Sequence, residues 1–347
     1  MIGRVFREDI AQLAESFPWG GLSDKTILVT GATGVIGNAL VHALVAANQR
    51  HGLGLRVVPH GRNVAKGQAL AQLCGDFLCG DLRQPVPASL VCGKTDYIFH
   101  CAAVTASAEM AARPLDVAAT MADGTRNVLE LARQTSCDCF VYLSSQEVYG
   151  QLNKESATES DLGFLDLSAP RSCYPESKRF CEMLCAAYAA QYRLNTKIAR
   201  PAIVSGAGIP RSDRRVLSQF AESVLQGRDI ELHTQGRSRG NFCYTADAVR
   251  GLLTIAMRGQ PGEAYNVANP AASATILELA ETVARIGGGK SGVVVKIPED
   301  VAAKGYPPGI VYSLNADKLQ ALGWSPRYGL EETIGRLLDD WRSISNG

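Results

Sequence analysis

Tyr174 and Lys178 stand four residues apart in Tyr174-Pro-Glu-Ser-Lys178. On a helix that spacing puts both side chains on one face. A phenol titrates at about 10, and an adjacent ammonium, together with a positive nicotinamide, stabilises its phenolate. Such a tyrosine can take a hydroxyl proton while a hydride leaves the same carbon. Lys178 is also placed to hold a nicotinamide ribose. Ser145, closing Leu143-Ser144-Ser145, would orient the substrate hydroxyl, with Glu147 two residues on as an auxiliary carboxylate. A tyrosine and lysine four apart also occur as plain surface pairs, so the pattern needs a hydride acceptor beside it.

Gly31-Ala-Thr-Gly34-Val-Ile-Gly37 supplies a place for one. It follows a β-rich run and opens a helical stretch, as a dinucleotide fingerprint requires. The first glycine permits the tight turn, the second lets backbone approach phosphate, and the third lets helix and strand pack closely. Thr33, Val35 and Ile36 line the same turn, where free helix N–H groups meet a pyrophosphate. Past the second strand, an acidic residue would grip the ribose 2′-hydroxyl. This chain has His60-Gly61-Arg62-Asn63 instead. Arg62 could meet a 2′-phosphate, stack on adenine, or remain a solvated loop residue. Asp81 and Leu82 could meet the adenine edge, while Ala102 and Ala103, beside Cys101, would border pyrophosphate and ribose. Ser144 and Arg200 complete the expected cofactor set. Thr105, Ser145, Gln146, Arg171 and Arg239 form the expected substrate set, and no metal site is expected.

The elements that must position these groups alternate. Short apolar runs at Lys25–Thr30, Leu55–Pro59, Phe77–Leu82, Tyr97–Cys101, Cys139–Ser144 and Lys197–Arg200 read as strands. Val35–Asn48, Leu115–Gln134 and Tyr174–Gln191 read as helices between them. Alternation of this kind predicts an α/β fold with a doubly wound parallel Rossmann sheet. After Ser205 segments shorten and become richer in Gly, Arg and Pro. Val216–Gln226 and Ile276–Ile286 still read as helices, and Glu263–Val267 as a strand. The expected division is a helical extension over 1–23, a dinucleotide domain over 24–205, and a smaller mixed substrate lobe over 206–347. A return segment near 240–270, including Phe242-Cys-Tyr-Thr-Ala-Asp247, is expected to rejoin the first domain.

Composition sets the class. With 35 basic and 34 acidic residues in 347 the formal charge is +1, which implies no polyanion partner and argues against nucleic-acid binding. No apolar run approaches the roughly 18 residues of a membrane span. The N-terminus carries charges where a signal peptide needs an apolar stretch, and reads as an amphipathic helix ending near Pro18. The ten cysteines show no repeated ligand spacing and read as reduced, mostly buried thiols of a cytoplasmic protein.

With GATGVIG at 31–37, Ser145-Gln-Glu-Val-Tyr-Gly150 and Tyr174–Lys178, the chain resembles extended short-chain dehydrogenase/reductases of the nucleotide-sugar epimerase/dehydratase family. Arg200-Pro201, Phe242–Asp247, Glu263–Asn269 and Leu322-Gly-Trp-Ser-Pro326 extend the resemblance from about Lys25 to Leu338. It implies tightly held NAD, transient oxidation of a sugar carbon, usually C4, and a homodimer pairing through Leu115–Gln134 and Tyr174–Gln191. Arg171-Ser-Cys-Tyr174 most resembles UDP-glucuronate decarboxylases and related 4-epimerases. Gln146 stands where dehydratases have an aspartate, and an amide donates no acidic proton. Met121, Ile203, Gly240 and Tyr306 also depart from the family pattern, Tyr306 where decarboxylases have an arginine for the sugar acid. The leading expectation is an NAD-dependent 4-epimerase of a nucleotide-linked sugar. A decarboxylase, a 4,6-dehydratase, an NADP-dependent reductase favoured by Arg62, and a non-enzymatic dinucleotide sensor are the alternatives.

Overall fold

The computed structural model describes residues 2–91, 94–297 and 309–345. Helix α1 (Arg4–Ser16) leads into β1 (Thr26–Thr30), α2 (Val35–His51), β2 (Arg56–Gly61), α3 (Val64–Cys74) and β3 (Leu78–Cys79). Then come β4 (Tyr97–His100), α4 (Ser107–Ala112), α5 (Pro114–Gln134), β5 (Cys139–Leu143), β6 (Ser156–Ala157), α6 (Cys173–Tyr192) and β7 (Thr196–Pro201). The next elements are β8 (Ile203–Ser205), α7 (Val216–Leu225), β9 (Ile230–Leu232), β10 (Arg239–Tyr244), α8 (Thr245–Arg258) and β11 (Ala264–Val267). The last are β12 (Ser273–Thr275), α9 (Ile276–Ile286), β13 (Val293–Val295), β14 (Ser313–Leu314), α10 (Asp317–Gln320) and α11 (Leu330–Ser345).

Seven strands form one parallel sheet in the order β11-β7-β5-β4-β1-β2-β3. Its central strands are near-continuous apolar runs, TILVT, YIFH and CFVYL, because helices cover both faces. Chain order reverses between β1 and β4, and the crevice outside their carboxyl ends is where such sheets take ligands. The third strand is shorter than the Phe77–Leu82 run implied: beyond Cys79 the chain turns, with Asp81 Oδ1 accepting the Arg83 N–H at 3.0 Å. After β10 the chain rejoins this layer: α8 packs on β5 and β7, and β11 extends the sheet beside β7.

A second layer surrounds the small β8-β10-β12 sheet. Helices α7, α9 and α11 pack together there around Phe220, Leu279, Leu337 and Trp341. Helix α1 lays Val5, Phe6, Ile10 and Leu13 against α2, α8 and α11. Of the nine described cysteines five are buried, and none is joined in a disulfide. Among the described residues no helix is long and apolar enough to cross a membrane.

Candidate active site

A cleft of about 660 Å³ opens at the carboxyl ends of β1, β2 and β4. Its floor is the glycine turn. Gly31 has φ +68°, and a Cβ on it would sit 2.6 Å from the Ala102 nitrogen. A Cβ on Gly37 would meet the Gly31 carbonyl oxygen at 2.4 Å, so these two positions admit only glycine. Gly34 is crowded only by the Gly31 oxygen at 3.3 Å, and a side chain there would occupy the cleft itself. It is the N-cap of α2 with no side-chain cap and no acid in the first turn, so the helix end stays open to an anion.

Thr33, Val35 and Ile36 line this floor with the three glycines. Arg62, Asn63, Asp81 and Leu82 line one end, and Ala102, Ala103 and Thr105 one wall. These residues, with a cradle that side chains would fill, fit a dinucleotide. Sequence reasoning missed Thr120, Asp213 and Arg215, which also line it. Arg215 is held by Asp213 at 2.9 Å and by the Val204 carbonyl at 2.8 Å. Its loop precedes α7 without motif or periodicity, so no spacing signal marked it.

Four expected cofactor residues are not in the cleft lining: Tyr174 and Lys178, which stand behind its end, and Ser144 and Arg200. Ser144 turns its hydroxyl to Glu182 Oε1 at 2.5 Å. Arg200 is buried and fully engaged: its guanidinium binds Glu182 at 2.7 and 3.0 Å, the Tyr149 hydroxyl at 3.0 Å and the Glu159 carbonyl at 2.8 Å. These contacts tie β5 and β7 to α6. Arg239 is also elsewhere, on β10, 3.4 Å from the Ser273 hydroxyl and 3.8 Å from Glu278. The Tyr306 position lies outside the described residues.

The cleft ends at Leu143, and the hydride-chemistry residues stand behind that end. Tyr174 is in the first turn of α6 and only 6% exposed; Lys178, one turn on, is 1% exposed. Lys178 Nζ donates to the Leu143 carbonyl at 2.5 Å and lies 5.8 Å from the centre of the Tyr174 ring. Ser145 caps a 3-10 turn carrying Gln146 and Glu147, accepting the Glu147 N–H at 3.2 Å. Glu147 forms an ion pair with Arg171 at 2.9 Å, and that guanidinium sits 5.9 Å from the Tyr174 ring centre.

The electrostatics of the protein alone set a condition on Tyr174. Burial pushes the Tyr174 phenol well above its usual value, and Glu147 adds to the rise; a hydrogen bond with Ser145 and the charge of Arg171 oppose it. Lys178 Nζ is turned to the Leu143 carbonyl and is not among the groups that shift Tyr174. Burial instead brings Lys178 down to about 8. Near neutrality the protein alone therefore keeps Tyr174 protonated, and the phenol needs added positive charge or a substrate hydrogen bond before it can act as a base.

Residues 27–268 match the NAD dependent epimerase/dehydratase family. The chain belongs to that family. As a member it is an NAD-dependent enzyme. It is 30% identical over 322 residues to UDP-glucuronic acid decarboxylase 6 of Arabidopsis thaliana, covering 92% of this chain and 90% of that one. It is 25% identical to human dTDP-D-glucose 4,6-dehydratase, covering 94% and 93%. Among solved structures, UDP-glucose 4-epimerase of Thermotoga maritima with UDP-glucose superposes at a TM-score of 0.80 and 23% identity, covering 92% of this chain and 99% of that one. That likeness describes the fold.

Proposed function

We propose that this family member is a 4-epimerase of a nucleotide-linked sugar, acting in the cytoplasm as a homodimer. The observation that carries the reading is the Tyr174–Ser145–Lys178 cluster at the Leu143 end of a dinucleotide-shaped cleft. NAD, when bound along Gly31–Gly37, supplies reversible acceptance of a hydride. Tyr174 Oη takes the proton of the sugar hydroxyl, and Ser145 Oγ orients that hydroxyl by sharing its hydrogen bonds. Lys178 fixes the floor at Leu143 through its Nζ. The burial of Tyr174 and Lys178 excludes bulk water from the proton path.

Decarboxylation of a sugar acid is the second reading. It is favoured by the relatives named as UDP-glucuronic acid decarboxylases and by Glu147 beside Tyr174. Product NMR after incubation with UDP-glucose, UDP-N-acetylglucosamine and UDP-glucuronate separates the two readings. The proposal expects a C4 epimer with no release of carbon dioxide. A pentose product with carbon dioxide replaces it with the decarboxylase reading, and net consumption of reduced cofactor replaces it with a reductase.

A further inference from the structure

The end of the cleft below β2 is where the adenosine half of a dinucleotide lies in this sheet topology. An acid at the tip of that strand hydrogen-bonds the ribose 2′-hydroxyl, whereas an arginine accommodates a 2′-phosphate. Here β2 ends at Gly61, and the chain passes directly to Arg62 and Asn63, all three in the cleft wall. The room for a carboxylate is tight: a Cβ on Gly61 would stand 3.2 Å from the Thr33 side chain and 3.3 Å from Phe77, both of which would have to shift. Asp81, the acid nearby in the lining, is clasped by Arg83 at 2.6 and 2.8 Å, and it also accepts the Arg83 N–H. Arg62 is exposed, lines the cleft, and makes no ion pair within hydrogen-bonding reach among the described residues, feeling Asp81 only through space.

We infer that the adenosine end of this cleft admits a 2′-phosphate held by Arg62, so that the chain binds NADP as well as it binds NAD. The inference rests on the reading of the cleft as the dinucleotide site. A guanidinium offers a phosphate two parallel charge-assisted hydrogen bonds, which a neutral ribose hydroxyl cannot match. Losing the acid removes the repulsion that would otherwise exclude the phosphate. Because Arg62 is exposed, salt weakens the contact. A guanidinium stacked on adenine would instead strengthen both dinucleotides equally, and this is the distinction the measurement uses.

The test is calorimetric titration of the full chain, dialysed free of cofactor, with NAD, NADP, ADP and 2′-phospho-ADP. Wild type is expected to bind NADP within about twofold of NAD, and 2′-phospho-ADP within about twofold of ADP. Arg62→Ala should weaken NADP about tenfold and leave NAD unchanged, with Arg62→Lys between them. NADP binding more than about tenfold weaker than NAD in wild type overturns the inference, as does an equal loss for both dinucleotides in Arg62→Ala. Binding of NAD alone sinks this inference and leaves the function reading standing. Failure to bind either dinucleotide sinks both.

Discussion

Tyr174 is the residue on which the proposed chemistry turns. Replacing it with phenylalanine keeps the ring that fills the space under Arg171 and removes the proton acceptor. The expected result is unchanged dinucleotide affinity with kcat reduced by about 10²–10⁴-fold, the usual scale of a general base. Steady-state kinetics retaining more than a tenth of wild-type kcat would remove Tyr174 from the role. Lys178 gives a second test. Its folded value is about 8 against an ordinary 10.5. The unfolded chain therefore binds more protons than the folded one between these values, and stability rises with pH across that window. The destabilisation is complete below 8. Relative to Lys178→Met, wild type should gain roughly 2 kcal/mol between pH 8 and pH 10, measured by urea midpoints. A parallel pH course for the two proteins would show that the lysine is not desolvated. Residues with a backbone requirement were readable in advance: Gly31 and Gly37 are where only hydrogen fits beside Ala102 and Gly31. Ser144 and Arg200 were not, because their directions are set by Glu182, a residue of α6 brought in by tertiary packing.

At the scale of elements, helix periodicity located α5 and α6, but it did not settle which of their apolar residues the core covers. Val128 and Leu131 are two such residues of α5. They are 0% and 1% exposed, because the sheet and α6 together cover more of that helix than one stripe. The large apolar residues left in solvent on α6 are Phe180 at 45%, Met183 at 49% and, at its last residue, Tyr192 at 46%. Two large exposed side chains one turn apart form a stripe that a second copy of the same helix could cover. If the homodimer forms there, Phe180→Glu with Met183→Glu should convert it to a monomer. The pair touches nothing in the cleft lining, so the fold should be intact by circular dichroism. Light scattering that finds wild type already monomeric at micromolar concentration, or the double variant still dimeric, would place the partner elsewhere. The segment from Gly206 to Arg215 marks the limit of pattern reading. It carries Asp213 and Arg215 into the cleft, yet it has neither alternation nor helical spacing to announce itself.

For the whole molecule, the joint between the layers is polar. Asp9 on α1, Tyr244 at the end of β10 and Arg336 on α11 share one buried hydrogen-bonded cluster, so both ends of the chain are bound to the strand that leads into α8. One turn into α8, Asp247 accepts the N–H groups of Arg327 at 2.8 Å and Tyr328 at 3.2 Å through Oδ2, holding the segment before α11. Its other oxygen is buried without a partner. Burial raises this carboxyl to about 6, against the lowering pull of those two backbone bonds. A carboxyl whose folded value lies above its unfolded 3.8 holds its proton longer in the folded chain. Its stabilising contribution is complete below 3.8 and is lost as pH rises through 6. Asp247→Asn keeps an oxygen for the two N–H groups and cannot ionise. Wild type should therefore lose about 2 kcal/mol relative to the variant between pH 4 and pH 7. Urea denaturation of both proteins across that range measures the difference directly, and subtraction removes the titration of Asp9 and the other shared groups. A constant difference from pH 4 to pH 7 would mean that Asp247 is ionised in the folded chain at ordinary cost, with water or a neighbouring arginine reaching its second oxygen.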